Sequence, residues 1–180
     1  MKPLYRNLAI VIVFGAIIAS TIPFLIYNYQ VQNPILWELK ITGNVTHEVN
    51  VTYSQIVNGD YGLIENRPFY FINSYGTNFW QNYTGASLWQ ILNQTGVLPP
   101  NATKFYLQSV DNYVTGTLWL DNISANPDYV LIAFKLWNEV IQPKDQGGDG
   151  PLRAIVDYNL TKPEVNSQYW AKYVNTVIII

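Results

Sequence analysis

The chain has 180 residues, with ten Lys or Arg against twelve Asp or Glu and a formal net charge of −2. No basic patch is visible, which argues against nucleic-acid binding. The absence of cysteine excludes disulfides, thiolate nucleophiles and sulfur ligation of a metal together.

Residues 8 to 27, LAIVIVFGAIIASTIPFLIY, carry no charge, and Glu38 is the next charged residue after Arg6. As a helix such a run is roughly 30 Å long, the thickness of a bilayer core. Lys2 and Arg6 precede it as in a signal peptide, but the run is long and no A-x-A-like site follows. The expectation is therefore an uncleaved, single-pass anchor with its N-terminus cytoplasmic and the remainder extracellular. Residues 1–34 would be cytoplasmic stub, transmembrane helix and short linker, and residues 35–180 one extracytoplasmic domain. Gly15 with Ala19, and Ala16 with Ser20, form a ridge of small residues suited to a helix interface in lipid. The lipid bilayer and polytopic membrane-protein subunits are the partners this implies.

Beyond residue 35, WELKIT (37–42) alternates as a strand should, and HEVNVTYSQIVN reads as a short strand and one helical turn capped by Thr52. FYFINSY (69–75) is strand-like. SLWQILNQTG predicts a helix capped by Ser87, apolar along Leu88, Ile91 and Leu92, and stopped by Gly96. TKFYLQSV (103–110) and YVTGTLWL (113–120) read as strands around an Asp111-Asn112 turn. DYVLIAFKLW is ambiguous between strand and helix. LRAIVDY (152–158) and YVNTVIII (173–180) are the last strands, expected to lie in one sheet under the Leu88–Leu92 face. The class is α+β, a mixed sheet with short helices.

The motif Asn-x-Ser/Thr occurs at Asn44, Asn50, Asn82, Asn93, Asn101, Asn122 and Asn159, an excess over chance that marks them as candidate N-glycan sites on loops and edges. Richness in Asn, Tyr and Ile with little charge resembles archaeal cell-surface proteins. Trp80, Tyr83 and Trp89 could stack on sugars or pack the core, and packing is favoured. His47 stands alone beside Glu48 and reads as solvent-exposed. Asp145 and Asp149 lack the organised run that a hard cation needs, so no metal is expected.

Several blocks together resemble the molybdopterin-binding domain of the sulfite oxidase family, in its small membrane-exported prokaryotic relatives. They are LKITGNV, VTYSQI, TGASLWQILNQTGV, SVDNYVTGTLWL, YVLIAFKLWNEVI, QGGDGPLRAIV and YWAKYVNTVIII, in family order over nearly all of residues 37–180. The resemblance implies a sulfite-oxidase-like fold. It also implies a molybdenum-binding cysteine between the Thr-Tyr step and the Leu-rich helix, where this chain has FYFINSYGTNFW with Asn73 and Ser74. Neither replaces a thiolate. The histidine that the family carries before the glycine loop is replaced by Asp145 and Gln146. The chain thus reads as a degenerate member without a cofactor.

In QGGDGPLR, Gly148 and Gly150 allow close approach, and Arg153, with Lys172 or Lys144, could form a vestigial anion site. The favoured reading is structural, with Arg153 paired to Asp149 or Asp111 and the glycines serving only the turn. The functional expectation is a non-catalytic accessory subunit of an archaeal membrane respiratory or sulfur-oxidising complex. The alternatives are a molybdopterin-dependent oxidoreductase or a surface or filament structural glycoprotein.

Overall fold

The computed structural model describes residues 35 to 180. Strand β1 (Glu38–Gly43) buries Leu39 and Ile41 and exposes Glu38 and Lys40, as strand alternation dictates. Strand β2 (Val49–Thr52) leads into helix α1 (Tyr53–Val57) through a full capping box: the Thr52 hydroxyl accepts from the Gln55 amide, and the Gln55 side chain accepts from the Thr52 amide. Strands β3 (Ile64–Ile72) and β4 (Asn78–Ser87) form a hairpin. Helix α2 (Leu88–Thr95) follows, capped by Ser87 and ended by Gly96 in the left-handed region, φ +64°. Next come β5 (Lys104–Ser109), β6 (Leu118–Trp119) and α3 (Leu120–Ala125). Strands β7 (Val130–Leu136), β8 (Glu139–Val140) and β9 (Arg153–Val156), helix α4 (Tyr158–Thr161) and strand β10 (Val174–Ile179) complete the domain.

The strands form two sheets. One has the order β2-β1-β10-β5-β6. Within it β10 runs parallel to β1, with Ile41 opposite Val177, and antiparallel to β5, with Leu107 opposite Val177. The second has the order β3-β4-β7-β8, and β9 also pairs with β7, Leu131 opposite Ile155. Leu39, Ile41, Phe105, Leu107 and Val177 meet Tyr83, Leu88, Ile91, Leu131 and Ile155 in one continuous core.

Several expectations change. The strands at 152–158 and 173–180 lie in different sheets, because β10 is claimed on both edges by β1 and β5. DYVLIAFKLW is a strand, since β4 and β9 pair with its two edges. Of 113–120 only Leu118–Trp119 is strand. Gly116 donates its amide to the Gln168 carbonyl, and a Cβ there would lie 2.4 Å from the Tyr169 ring. That contact draws the segment off the edge of β5.

The expected fold class, a domain preceded by a transmembrane helix, is also corrected. Among the described residues no helix is long and apolar enough to cross a membrane. The longest, α2, has eight residues, roughly 12 Å at 1.5 Å per residue. The segment 8 to 27, with the ridge Gly15, Ala16, Ala19 and Ser20, lies outside the described residues. The single-pass topology, the cell-membrane placement, and the bilayer and polytopic-subunit partners therefore have no support, and the fold class stands as a mixed α+β domain.

Removing residues 174–180 should abolish cooperative thermal unfolding of the domain. It takes the third of five strands from one sheet and uncovers Leu107 and Ile41. A truncated chain that still melts in one sharp calorimetric transition would show that β10 is dispensable.

Candidate functional site

The β3–β4 hairpin carries aromatic rings on both faces. Its register is regular, with Phe69 opposite Gln81, Tyr70 opposite Trp80 and Phe71 opposite Phe79. Side chains alternate across a sheet, so Phe69, Phe71, Phe79, Gln81 and Tyr83 share one face, and Tyr70 and Trp80 the other. The segment 157–171 runs along the outer edge of β3 and reaches both faces. Trp170 packs edge-on to Phe71 at 5.1 Å and to Tyr83 at 5.7 Å, while Tyr158 packs edge-on to Tyr70 at 5.6 Å.

Asn166 fixes that segment. It is fully buried, its Oδ1 accepts from the Ile72 amide at 2.8 Å, and its Nδ2 donates to the carbonyls of Tyr70 and Val156. The Trp170 indole N–H also donates to the Val156 carbonyl, at 2.8 Å.

On the Phe71 face lies a pocket of about 480 Å³. Phe71, stacked on Phe79 at 4.6 Å, and Trp170 make its apolar wall, and Asn73 and Gln81 line it nearby. Asp149, Arg153 and Lys172 bring charge to it. Lys172 Nζ is 2.8 Å from one Asp149 oxygen, whereas Arg153 Nη1 is 3.5 Å from the other. The Arg153 guanidinium lies 5.6 Å from the centre of the Tyr83 ring, and its buried Nε has no hydrogen-bond partner among the described residues. Burial pushes the Tyr83 phenol pKa up, with Arg153 opposing the rise and Asp149 adding to it. Two cations share one carboxylate, so the pocket carries about one net positive charge.

Within the glycine loop, Asp149 is the residue that lines this pocket. The amides of Gly147, Gly148 and Gly150 donate to the carbonyls of Lys144, Pro143 and Gln142. A Cβ on Gly148 would sit 2.0 Å from the Gln142 carbonyl oxygen. The glycines thus let 147–150 press against 141–143, and these amides are already engaged within the loop. Lys144 lies over the Tyr173 ring at 5.0 Å.

Asn73 lines the pocket, but its side-chain oxygen accepts from the amides of Tyr75 and Thr77 and closes the β3–β4 turn. Ser74 is exposed. The residues do not fit a molybdenum cofactor. There is no thiolate in the chain, and among the described residues no group of three or more His, Cys, Asp or Glu could hold a metal ion. His47 is exposed, with Nδ1 2.9 Å from the Thr46 hydroxyl. Of the Asn-x-Ser/Thr positions, Asn44, Asn50, Asn93, Asn101, Asn122 and Asn159 are exposed, and Asn82 is half-buried in β4. Tyr83 is buried, Trp89 half-buried and Trp80 exposed.

Two residues with structural authority here, Asn166 and Arg67, were not singled out by the sequence reading. Arg67 sits between Asp157, at 3.1 Å, and Asp128, at 3.8 Å, with its guanidinium 4.9 Å from the centre of the Phe69 ring. The one available signal was an arginine inside an aromatic strand, where an unpaired charge is costly.

No family model and no curated protein matches the chain. Among solved structures it is similar to the sulfane dehydrogenase SoxCD from Paracoccus pantotrophus, at 15% sequence identity and a TM-score of 0.60. The match covers 79% of this chain and 38% of that one. It supports a sulfite-oxidase-like fold and carries nothing about activity. The expected functions are corrected accordingly. An accessory subunit of a membrane complex rested on the anchor, and a surface or filament glycoprotein rested on the same exported placement. A molybdopterin-dependent oxidoreductase lacks its thiolate ligand.

Replacing the buried amide, Asn166→Leu, leaves the Ile72 amide without its acceptor and the Tyr70 carbonyl without its donor. The expected loss is about 2–4 kcal/mol of unfolding free energy, read by urea denaturation. A change below ~0.5 kcal/mol would mean that Asn166 does not hold the segment.

Proposed function

We propose that residues 35–180 form a binding domain for a small organic monoanion with a flat apolar body, seated in the pocket between Arg153 and Trp170. The observation that carries this reading is the Arg153 guanidinium itself. Its contact with Asp149 is long for a charge-assisted hydrogen bond, which closes to about 2.7–2.9 Å when well made. Its Nε is buried without a partner among the described residues. A ligand carboxylate would pair with the guanidinium where it lines the pocket, in the planar geometry that favours arginine at such sites. Lys172 adds a second positive charge at the rim, and the wall of Phe71, Phe79 and Trp170 would cover an apolar ring.

Binding is favoured over turnover by the groups that line the pocket. Asp149, Arg153 and Lys172 hold one another as ions, and no cysteine or histidine lies among the lining residues. A general base with a free proton-accepting position is the part a catalyst would add.

Indole-3-carboxylate, indole and inorganic phosphate separate the two halves of the reading. At ~100 times its dissociation constant a ligand stabilises the folded state by about 2.7 kcal/mol, which for a domain of this size raises Tm by about 5–10 °C. Indole-3-carboxylate should produce such a rise with the full-length chain, phosphate a smaller one and indole almost none. Arg153→Ala should remove the carboxylate-dependent part. Identical Tm values with and without the carboxylate, up to ~10 mM, would sink the reading.

A further inference from the structure

A second cleft, of about 200 Å³, opens on the other face of the hairpin between Trp80, Tyr70 and Tyr158, with Asp157 and Asn159 beside them. We propose that it binds a neutral saccharide, one pyranose ring laid on the indole of Trp80 and its hydroxyls held by Asp157 and the two tyrosines.

The aromatic side of the cleft is rigid and open. Trp80 is 62% exposed, yet its ring is set by Tyr70 at 5.2 Å and 46°, and Tyr70 is itself braced edge-on by Tyr158. An indole held this way loses little freedom when a flat partner covers it. A pyranose offers that partner, because one face presents C–H groups while the hydroxyls project from the ring edge. The C–H groups meet the negative face of the π system.

The polar side matches the ring edge. The phenols of Tyr70 and Tyr158 and the indole N–H of Trp80 make no hydrogen bond to another described residue, although both tyrosines are half-buried. Arg153 Nε is the one buried unpaired side-chain polar atom among the described residues, so the two tyrosine hydroxyls are open to solvent and within reach of a ligand. The Asp157 carboxylate is fixed: Oδ1 accepts from the Asn159 amide at 2.9 Å and from its side chain at 3.0 Å, and Oδ2 accepts from Arg67 at 3.1 Å. One oxygen thus keeps room for a ligand hydroxyl.

Charge selects against the main competitor. Three aromatic rings and a carboxylate also suit a quaternary ammonium ion. Here Arg67 pairs with Asp157 at 3.1 Å, and Asp128, 3.8 Å from the same guanidinium, does not line the cleft. A methylated cation would also leave both phenols and the indole N–H unmatched. A polyol uses every one of these groups.

The saccharide has two sources, a free oligosaccharide or a glycan attached to the chain at Asn159, which begins Asn159-Leu160-Thr161 and lines the cleft. The test uses full-length chain made in a host that does not glycosylate it, titrated calorimetrically with maltotriose, cellotriose, chitotriose and choline. At least one trisaccharide should bind with a dissociation constant of ~1 mM or tighter. Trp80→Ala should weaken it by ~10-fold or more, and Tyr158→Phe, which keeps the ring and removes only the hydroxyl, by about 3- to 10-fold. Phosphate, which probes the Arg153 pocket, should not compete. On chain from its native source, the mass of the peptide containing Asn159 separates the two sources. A sugar there that blocks trisaccharide binding until it is enzymatically removed assigns the attached one, and an unmodified Asn159 assigns the free one. The proposal is overturned if no trisaccharide binds at ~10 mM, if choline binds more tightly than all three, or if Trp80→Ala binds as the parent does.

Discussion

Asn166 is sealed from solvent, and both ends of its amide meet backbone groups that would otherwise lack partners on the outer edge of β3. Burying an amide is unfavourable unless its hydrogen bonds are replaced, so the residue tolerates one position of the 157–171 segment and few others. That position decides where Trp170 and Tyr158 stand. Trp170 reaches one face of the hairpin and Tyr158 the other. Each cleft is completed by one of these rings, so both depend on a side chain that touches neither cleft's lumen.

The two arginines near the hairpin show how differently a guanidinium can be used. Arg67 is satisfied: Asp157 lies at hydrogen-bonding distance, and the Asp128 backbone carbonyl accepts from it as well. It works as a rivet between β3 and the segments before β7 and α4. Arg153 is more buried, with 12% of its side chain exposed, yet its only ion-pair contact among the described residues is 3.5 Å long. Lys172 holds the same carboxylate at 2.8 Å and draws it away. Competition for Asp149 therefore leaves the more buried cation less satisfied.

Much of the fold was legible because its signals are local. Thr52 and Gln55 form a capping box within four residues, and Ser87, Leu88, Ile91, Leu92 and Gly96 contain a helix's start, buried face and stop. Strand β4 was not legible. Asn78 to Tyr83 place aromatic rings on successive residues, Phe79 and Trp80, one on each face of the hairpin and both exposed, and the two-residue alternation disappears. Arg153 and Lys172 were singled out by the glycine loop and the closing strand, and Asp149 was named as a partner for Arg153, but the claim of Lys172 on the same carboxylate and the aromatic wall come from tertiary contact. The cleft at Trp80 was harder still. Trp80 comes from a strand hidden in the pattern, Asp157 from a helix cap, and their meeting is set by Asn166, ninety-four positions from Ile72.

An unmatched guanidinium N–H in a folded interior costs the desolvation of that group without return, and such groups are few in native proteins. The chain had a simple remedy, since a closer Asp149 would have satisfied Arg153. The loop prevents it. Gly148 and Gly150 press the turn onto residues 141–143, where added Cβ atoms would clash with Gln142 and Ile141. This holds Asp149 at the pocket rim between the two cations. The glycine-rich stretch therefore shapes the pocket by where it keeps one carboxylate rather than by offering its amides. The same compact loop leaves the Arg153 guanidinium at the pocket wall without a close carboxylate partner.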